Sequence, residues 1–146
     1  MGAPLALPDS PEGLSETTIG IWKIFSGSDI PQPGNVVQST FVDVRDVARL
    51  HLWVAENANK SNGQRYLVIA GMQSSQGIAD ILRENYPERR DIIQKGTPGQ
   101  GYPSNFQFPK GGIEFDASKA VEATGQEWIP FRKTVLDAAK AFEKYL

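Results

Sequence analysis

The chain has no cysteine and a single histidine, His51. Without thiols it can form no disulfide and no thiolate metal site, which fits a reducing compartment. One imidazole gives little from which to build a zinc or iron centre, so no metal is expected. Clusters of Lys and Arg are missing too, and the net charge is only −2 over 146 residues. Counterion release from a nucleic-acid backbone therefore has no basic patch behind it. The first residues, MGAPLALPDSPEG, carry no basic start and no long apolar run, which argues against a signal peptide or a membrane span. Gly2 is not followed four places later by the Ser or Thr that myristoylation favours. The expectation is a soluble, cytoplasmic protein with neither nucleic acid nor membrane as partner, and the length is that of one domain with one core.

What is present is punctuated by turn residues. Pro4, Pro8, Pro11 and Gly13 make the first residues an extended arm. From Ser15 to Phe25, Ile19, Trp22 and Phe25 recur at helical spacing, and SGSD ends the run. Phe41 to Val44 alternates like a short strand. Asp46 then stands where a helix N-cap belongs, ahead of Val47, Leu50 and Val54, in a helix running to about Ala58. Gln64 to Gly71, QRYLVIAG, is a near-continuous apolar run with β-branched content, as in a strand buried on both faces of a parallel sheet. Ser74 or Ser75 caps a helix that lasts until Pro87. Lys95 to Gly112 is broken by glycines and prolines yet holds Tyr102, Phe106 and Phe108, a composition too aromatic for a plain linker. GIEFD reads as a short strand, Asp116 caps a helix to Thr124, and Gly125 follows as its C′ residue. Phe131, Val135, Ala138 and Phe142 form the stripe of a last helix.

The order of these pieces, with FVDVRDVARLHLWVAE, GQRYLVIAG and FDASKAVEATGQEWIPFRKTVLDAA, resembles the C-terminal part of the extended short-chain dehydrogenases/reductases of the NAD-dependent epimerase/dehydratase family. Within them it is most similar to the dihydroflavonol, cinnamoyl-CoA and methylglyoxal reductase-like aldehyde reductases. MGAPLALP resembles the point just past the catalytic helix and the following strand, with Met1 in place of an aromatic residue and Ala3 in place of the first proline. The resemblance implies an α/β lobe, truncated of its cofactor domain, with several helices around short parallel strands in a single domain over 1–146. Such enzymes hold NADPH on a glycine-rich turn between a strand and a helix and move a proton with a Tyr-x-x-x-Lys pair. Neither motif occurs here. The run GTPGQG (Gly96, Gly99, Gly101) has other spacing and leads into Pro103, and Tyr86 is followed four places later by Arg90. The expected cofactor content of this chain is therefore none.

Candidate site residues each have a plain structural reading beside the functional one. Asp43, next to Arg45, suits an ion pair as well as an acid or base. His51, one turn into its helix, suits a packed imidazole with one hydrogen bond as well as a proton carrier. Trp22, Trp53 and Trp128 suit a core or an interface. The sequence-based expectation is a pocket for a small organic substrate between the helix bearing Trp22 and the loop carrying Tyr102, Phe106, Phe108 and Lys110. Trp22, Phe106 and Phe108 would be its walls, and Asp43, His51, Tyr102 and Lys110 its catalytic groups. A chain beginning at Met1 and ending on a whole amphipathic helix favours a free-standing enzyme that catalyses a redox-neutral cyclisation, isomerisation or dehydration in specialised metabolism. The alternatives are an incomplete fragment or subunit of an NADPH-dependent aldehyde or ketone reductase, and a non-catalytic binding module. The apolar strand QRYLVIAG, left without neighbours, predicts a homodimer.

Overall fold

The computed structural model describes residues 7–32, 39–99 and 115–146. Three helices make the core, and each owes its place to an apolar stripe. Helix α1 (Glu16–Ser26) buries Ile21, Ile24 and Phe25 and stops at Gly27, which takes the left-handed φ of 78° that favours glycine. Helix α4 (Ser75–Asn85) buries Ile78, Ala79, Ile81 and Leu82. Helix α6 (Phe131–Phe142) buries Val135, Ala138, Ala139 and Phe142 against both. At one end Trp22 lies edge-on to Phe142 and Tyr145, with ring centroids 5.8 and 5.5 Å apart, and Phe25 meets Tyr86 at 5.0 Å. Burial and the Glu143 carboxylate, to which the Tyr86 hydroxyl donates at 3.1 Å, push the Tyr86 phenol up to about 12.

Strand β1 (Ser39–Phe41) leads into α2 (Val44–Glu56), the four-residue α3 (Ala58–Ser61) follows, and strand β2 (Gly71–Gln73) precedes α4. The two strands pair antiparallel, Ser39 with Gln73 and Phe41 with Gly71, which corrects the expectation of parallel strands. The expected strand over Gln64–Gly71 is also corrected. Residues 64–69 precede β2 without pairing to another strand, Ala70 being the first to donate its N–H to the Phe41 carbonyl of β1, and Leu67 is 41% exposed. Apolar, β-branched residues suit a buried strand, but a strand exists only where a neighbour accepts its ladder, and no described residues supply one alongside 64–69. Beside it, α2 turns Leu52 and Val54 outward, and Trp53 packs edge-on against Tyr66. The helix α5 (Ser118–Thr124) ends at Gly125, as its sequence predicts. GIEFD falls mostly outside the described residues. No described helix is long and apolar enough to cross a membrane.

The start of α2 lies three residues earlier than expected. Asp43, with φ −74° and ψ 139°, is the N-cap and accepts from the Arg45 backbone N–H at 2.9 Å. Asp46 sits inside the first turn, fully buried, where its carboxylate takes a hydrogen bond from the Ile129 backbone N–H at 2.9 Å and pairs with Arg49. Both acids thus tie α2 to the chain around α6, one as a cap and the other as a clasp.

Candidate functional site

The best-formed concavity among the described residues is a cleft of about 390 Å³ between α1, the β1–β2 pair and the start of α4. Its apolar floor is made by Ile24, Phe41, Val42, Val68 and Ile78. Thr17, Ser39, Thr40 and Gln73 bring polar groups to it, with the carboxylates of Glu16 and Asp29. An apolar floor under a few polar groups is the usual make-up of a small-molecule site. The helical period explains the first wall: Glu16, Gly20 and Ile24 recur every four residues along one face of α1. Several hydroxyls are already committed. Ser74 Oγ accepts from the Gly77 N–H at 3.0 Å, capping α4, and Ser75 Oγ accepts from the Gln32 N–H at 2.7 Å. Gln73 Nε2 donates to Ser39 Oγ at 2.8 Å, while its buried Oε1 has no partner among the described residues. A buried acceptor in that state suits a donor from water or from a bound molecule.

The residues singled out from sequence do not gather here. Trp22 lies on the opposite side of α1 from the cleft: it is two residues from both Gly20 and Ile24, a rotation of about 200° at 100° per residue, which places it in the aromatic cluster around Phe142. Asp43 is fully buried. Burial alone would raise its pKa. The Arg45 guanidinium at 2.8 Å, the Arg45 N–H and the Thr134 hydroxyl at 2.8 Å outweigh that and hold the carboxyl below its ordinary value. Arg45 also reaches Asp137 on α6 at 2.7 Å. Both oxygens of Asp43 are therefore engaged, Oδ1 by Arg45 within α2 and Oδ2 by Arg45 and by Thr134 on α6. His51 is exposed on α2, where its Nδ1 lies 2.8 Å from the Val47 carbonyl oxygen, and it borders a separate hollow with Leu50, Val54 and Tyr66. The one hydrogen bond of the sequence reading is present, but the packed imidazole is corrected to a solvent-facing one. Tyr102, Phe106, Phe108 and Lys110 lie outside the described residues. Sequence reasoning missed the cleft itself, whose walls come from three distant stretches. The one local signal was a glycine in mid-helix.

Neither strand-to-helix turn suits a dinucleotide. A pyrophosphate is held by free N–H groups at a helix N-terminus. The turn from β1 into α2 is filled by the Asp43 carboxylate, a negative group, and the turn from β2 into α4 by the Ser74 hydroxyl. No group of three acidic or imidazole side chains is placed to hold a metal ion among the described residues.

This arrangement, three packed helices leaning on a short strand pair, is the fold of part of the short-chain dehydrogenase/reductase-like reductases. Over 96% of its length the chain superposes on an engineered reductase with a TM-score of 0.72 at 26% identity, covering 40% of that chain. Over 99% it superposes on the yeast methylglyoxal/isovaleraldehyde reductase complexed with NADPH, with a TM-score of 0.73 at 23% identity, covering 44% of that chain. Among curated relatives, the ketoreductase of Aspergillus niger is 34% identical over 133 residues, which is 91% of this chain and 36% of the relative. The NADPH-dependent methylglyoxal reductase of Saccharomyces cerevisiae is 32% identical over 72% of this chain and 29% of its own length. No family model matches. The chain spans about three-tenths of the length of the first curated relatives it matches.

The named relatives are a ketoreductase and an NADPH-dependent methylglyoxal reductase, and that corrects the redox-neutral reading. The isomerase, cyclase and specialised-metabolism expectations rested on the chain's outline, and an outline carries no information about the bond that is made or broken.

Proposed function

We propose that this chain forms the substrate-side part of an NADPH-dependent reductase acting on small aldehydes or ketones. The carrying observation is its 34% identity to a ketoreductase along 91% of its length, together with the reductase fold over nearly all of it. When bound, NADPH supplies a hydride. This chain's residues do something else: the floor of Ile24, Phe41 and Ile78 takes the apolar part of a carbonyl compound, and the polar groups of the cleft restrict how it sits. Because both turns are capped from within, neither of them takes the dinucleotide.

The test is a chimera in which this chain replaces the matching segment of the yeast methylglyoxal reductase. NADPH consumption that depends on methylglyoxal or isovaleraldehyde is the expected result. A folded chimera that binds NADPH yet reduces no aldehyde or ketone would contradict the proposal. The chain alone should give no saturable heat when titrated with NADPH at micromolar strength, about 8 kcal/mol. Such heat would show that the dinucleotide site lies within this chain. Tyr102 and Lys110 are tested in the same chimera, where Tyr102→Phe or Lys110→Ala should lower kcat by about a hundredfold if either moves a proton.

A further inference from the structure

We propose that Gly20 sets the size of the molecule that the cleft accepts, an inference that rests on the cleft being the substrate site. Glycine is the poorest helix former after proline, so one in the middle of α1 calls for a reason. Two reasons are common, a left-handed backbone or a close approach by another element. Gly20 has neither. It is not among the glycines of positive φ, and beyond its chain neighbours and the backbone of its own helix a Cβ built on it would meet no described atom within 4 Å. Elsewhere in the molecule the contrast is plain: a Cβ at Gly96 would come within 2.3 Å of Gln76 Oε1, and one at Gly27 within 2.4 Å of the Ile92 carbonyl oxygen. Packing explains those two glycines and leaves Gly20 unexplained.

The cleft supplies the explanation. Gly20 lies between Glu16 and Ile24 on the stripe of α1 that forms one wall, so the side chain it lacks is space inside the cleft. Any side chain here would project into a volume of about 390 Å³ already narrowed by Phe41 and Ile78. With hydrogen at this position, a flat or branched substituent can lie directly against the helix backbone. The class of substrate this favours is a carbonyl compound with an aryl or branched alkyl group. Small linear ketones would have no use for the space.

Two-dimensional NMR of the intact chain, titrated with acetophenone and with 2-butanone, tests this. In the parent, acetophenone should shift the amide resonances of cleft residues such as Thr40 and Ser75. In Gly20→Leu its affinity should fall by about tenfold or more while that of 2-butanone changes by less than about twofold, with Gly20→Ala between them. Both variants should fold, since Ala and Leu are better helix formers than Gly and the site is open. A folded Gly20→Leu that binds acetophenone as the parent does overturns the role of Gly20 and leaves the cleft assignment standing. If neither ketone shifts a cleft residue of the parent, the inference falls together with the cleft, while the chimera still reports on the reductase reading.

Discussion

Four donors converge on the Asp43 carboxylate: the Arg45 backbone N–H, the Nε and Nη2 groups of its guanidinium, and the Thr134 hydroxyl. The arrangement makes a helix cap also the joint between α2 and α6. Asp43→Asn should cost about 2–3 kcal/mol in urea denaturation at neutral pH, from a weakened cap and lost charge-assisted bonds. The sign with pH follows from the lowered pKa. Its contribution is complete above the ordinary carboxylate range and disappears as pH falls through the folded-state value, so parent and variant should converge in acid. An equal gap at both ends would show that the charge is not what stabilises the joint. Sequence alone placed the cap at Asp46, because Asp46 directly precedes the apolar repeat of Val47, Leu50 and Val54, and the structure moves it to Asp43. The partner that decides it, Thr134, lies ninety-one positions away. Gly20 was legible only as a flaw in a helical repeat. Gly20→Ala should raise stability by about 0.5–1 kcal/mol in thermal melting, and a loss instead would mean that the site is not open.

Helices were the readable elements, although in α1 the buried stripe is Ile21, Ile24 and Phe25 where the period pointed to Ile19, Trp22 and Phe25, and in α2 Val54 is turned outward. Ile21, Ile24 and Phe25, then Ile78, Ile81 and Leu82, then Val135, Ala138 and Phe142 form one core. Phe142→Ala, at a fully buried position between α1 and α4, should cost about 3–5 kcal/mol by denaturant unfolding. A loss below about 1 kcal/mol would mean that the helices close over the gap. The segment leaving α4 is fastened in a way no period reveals. Buried Gln76 donates to Asp80 at 2.7 Å and to the Lys95 carbonyl at 3.1 Å, and accepts from the Thr97 N–H at 2.7 Å. Gly96, at φ 55°, lies against Gln76 and Pro31. Gly96→Ala should therefore destabilise by about 1–3 kcal/mol, and an unchanged melting temperature would show the fastening to be dispensable. The cleft was illegible for a related reason: its walls come from residues 16–29, 39–42 and 68–78, which no local pattern links.

For the molecule as a whole, the strand read from QRYLVIAG is the element the described residues leave without a ladder over most of its length. Residues 64–70 have the composition of a central strand, and with α2 they present Leu52, Val54 and Leu67 to solvent. The solved reductases that this chain matches are more than twice its matched extent, at 40 and 44% coverage. Chain beyond the matched part has room to cover such a face. Made alone, the chain should cover it with a second copy, giving a dimer by light scattering that Leu67→Lys disperses. A monomer at high concentration would contradict this. The same open edge should be visible to deuterium. The Ala70 N–H donates to the Phe41 carbonyl at 2.8 Å, whereas the amides of 65–69 have no backbone acceptor among the described residues. Isotope uptake should thus be fast up to Ile69 and slow from Ala70 onward, a one-residue step along a single extended stretch. Whatever completes the sheet would erase that step, so the exchange pattern doubles as an assay for the missing neighbour.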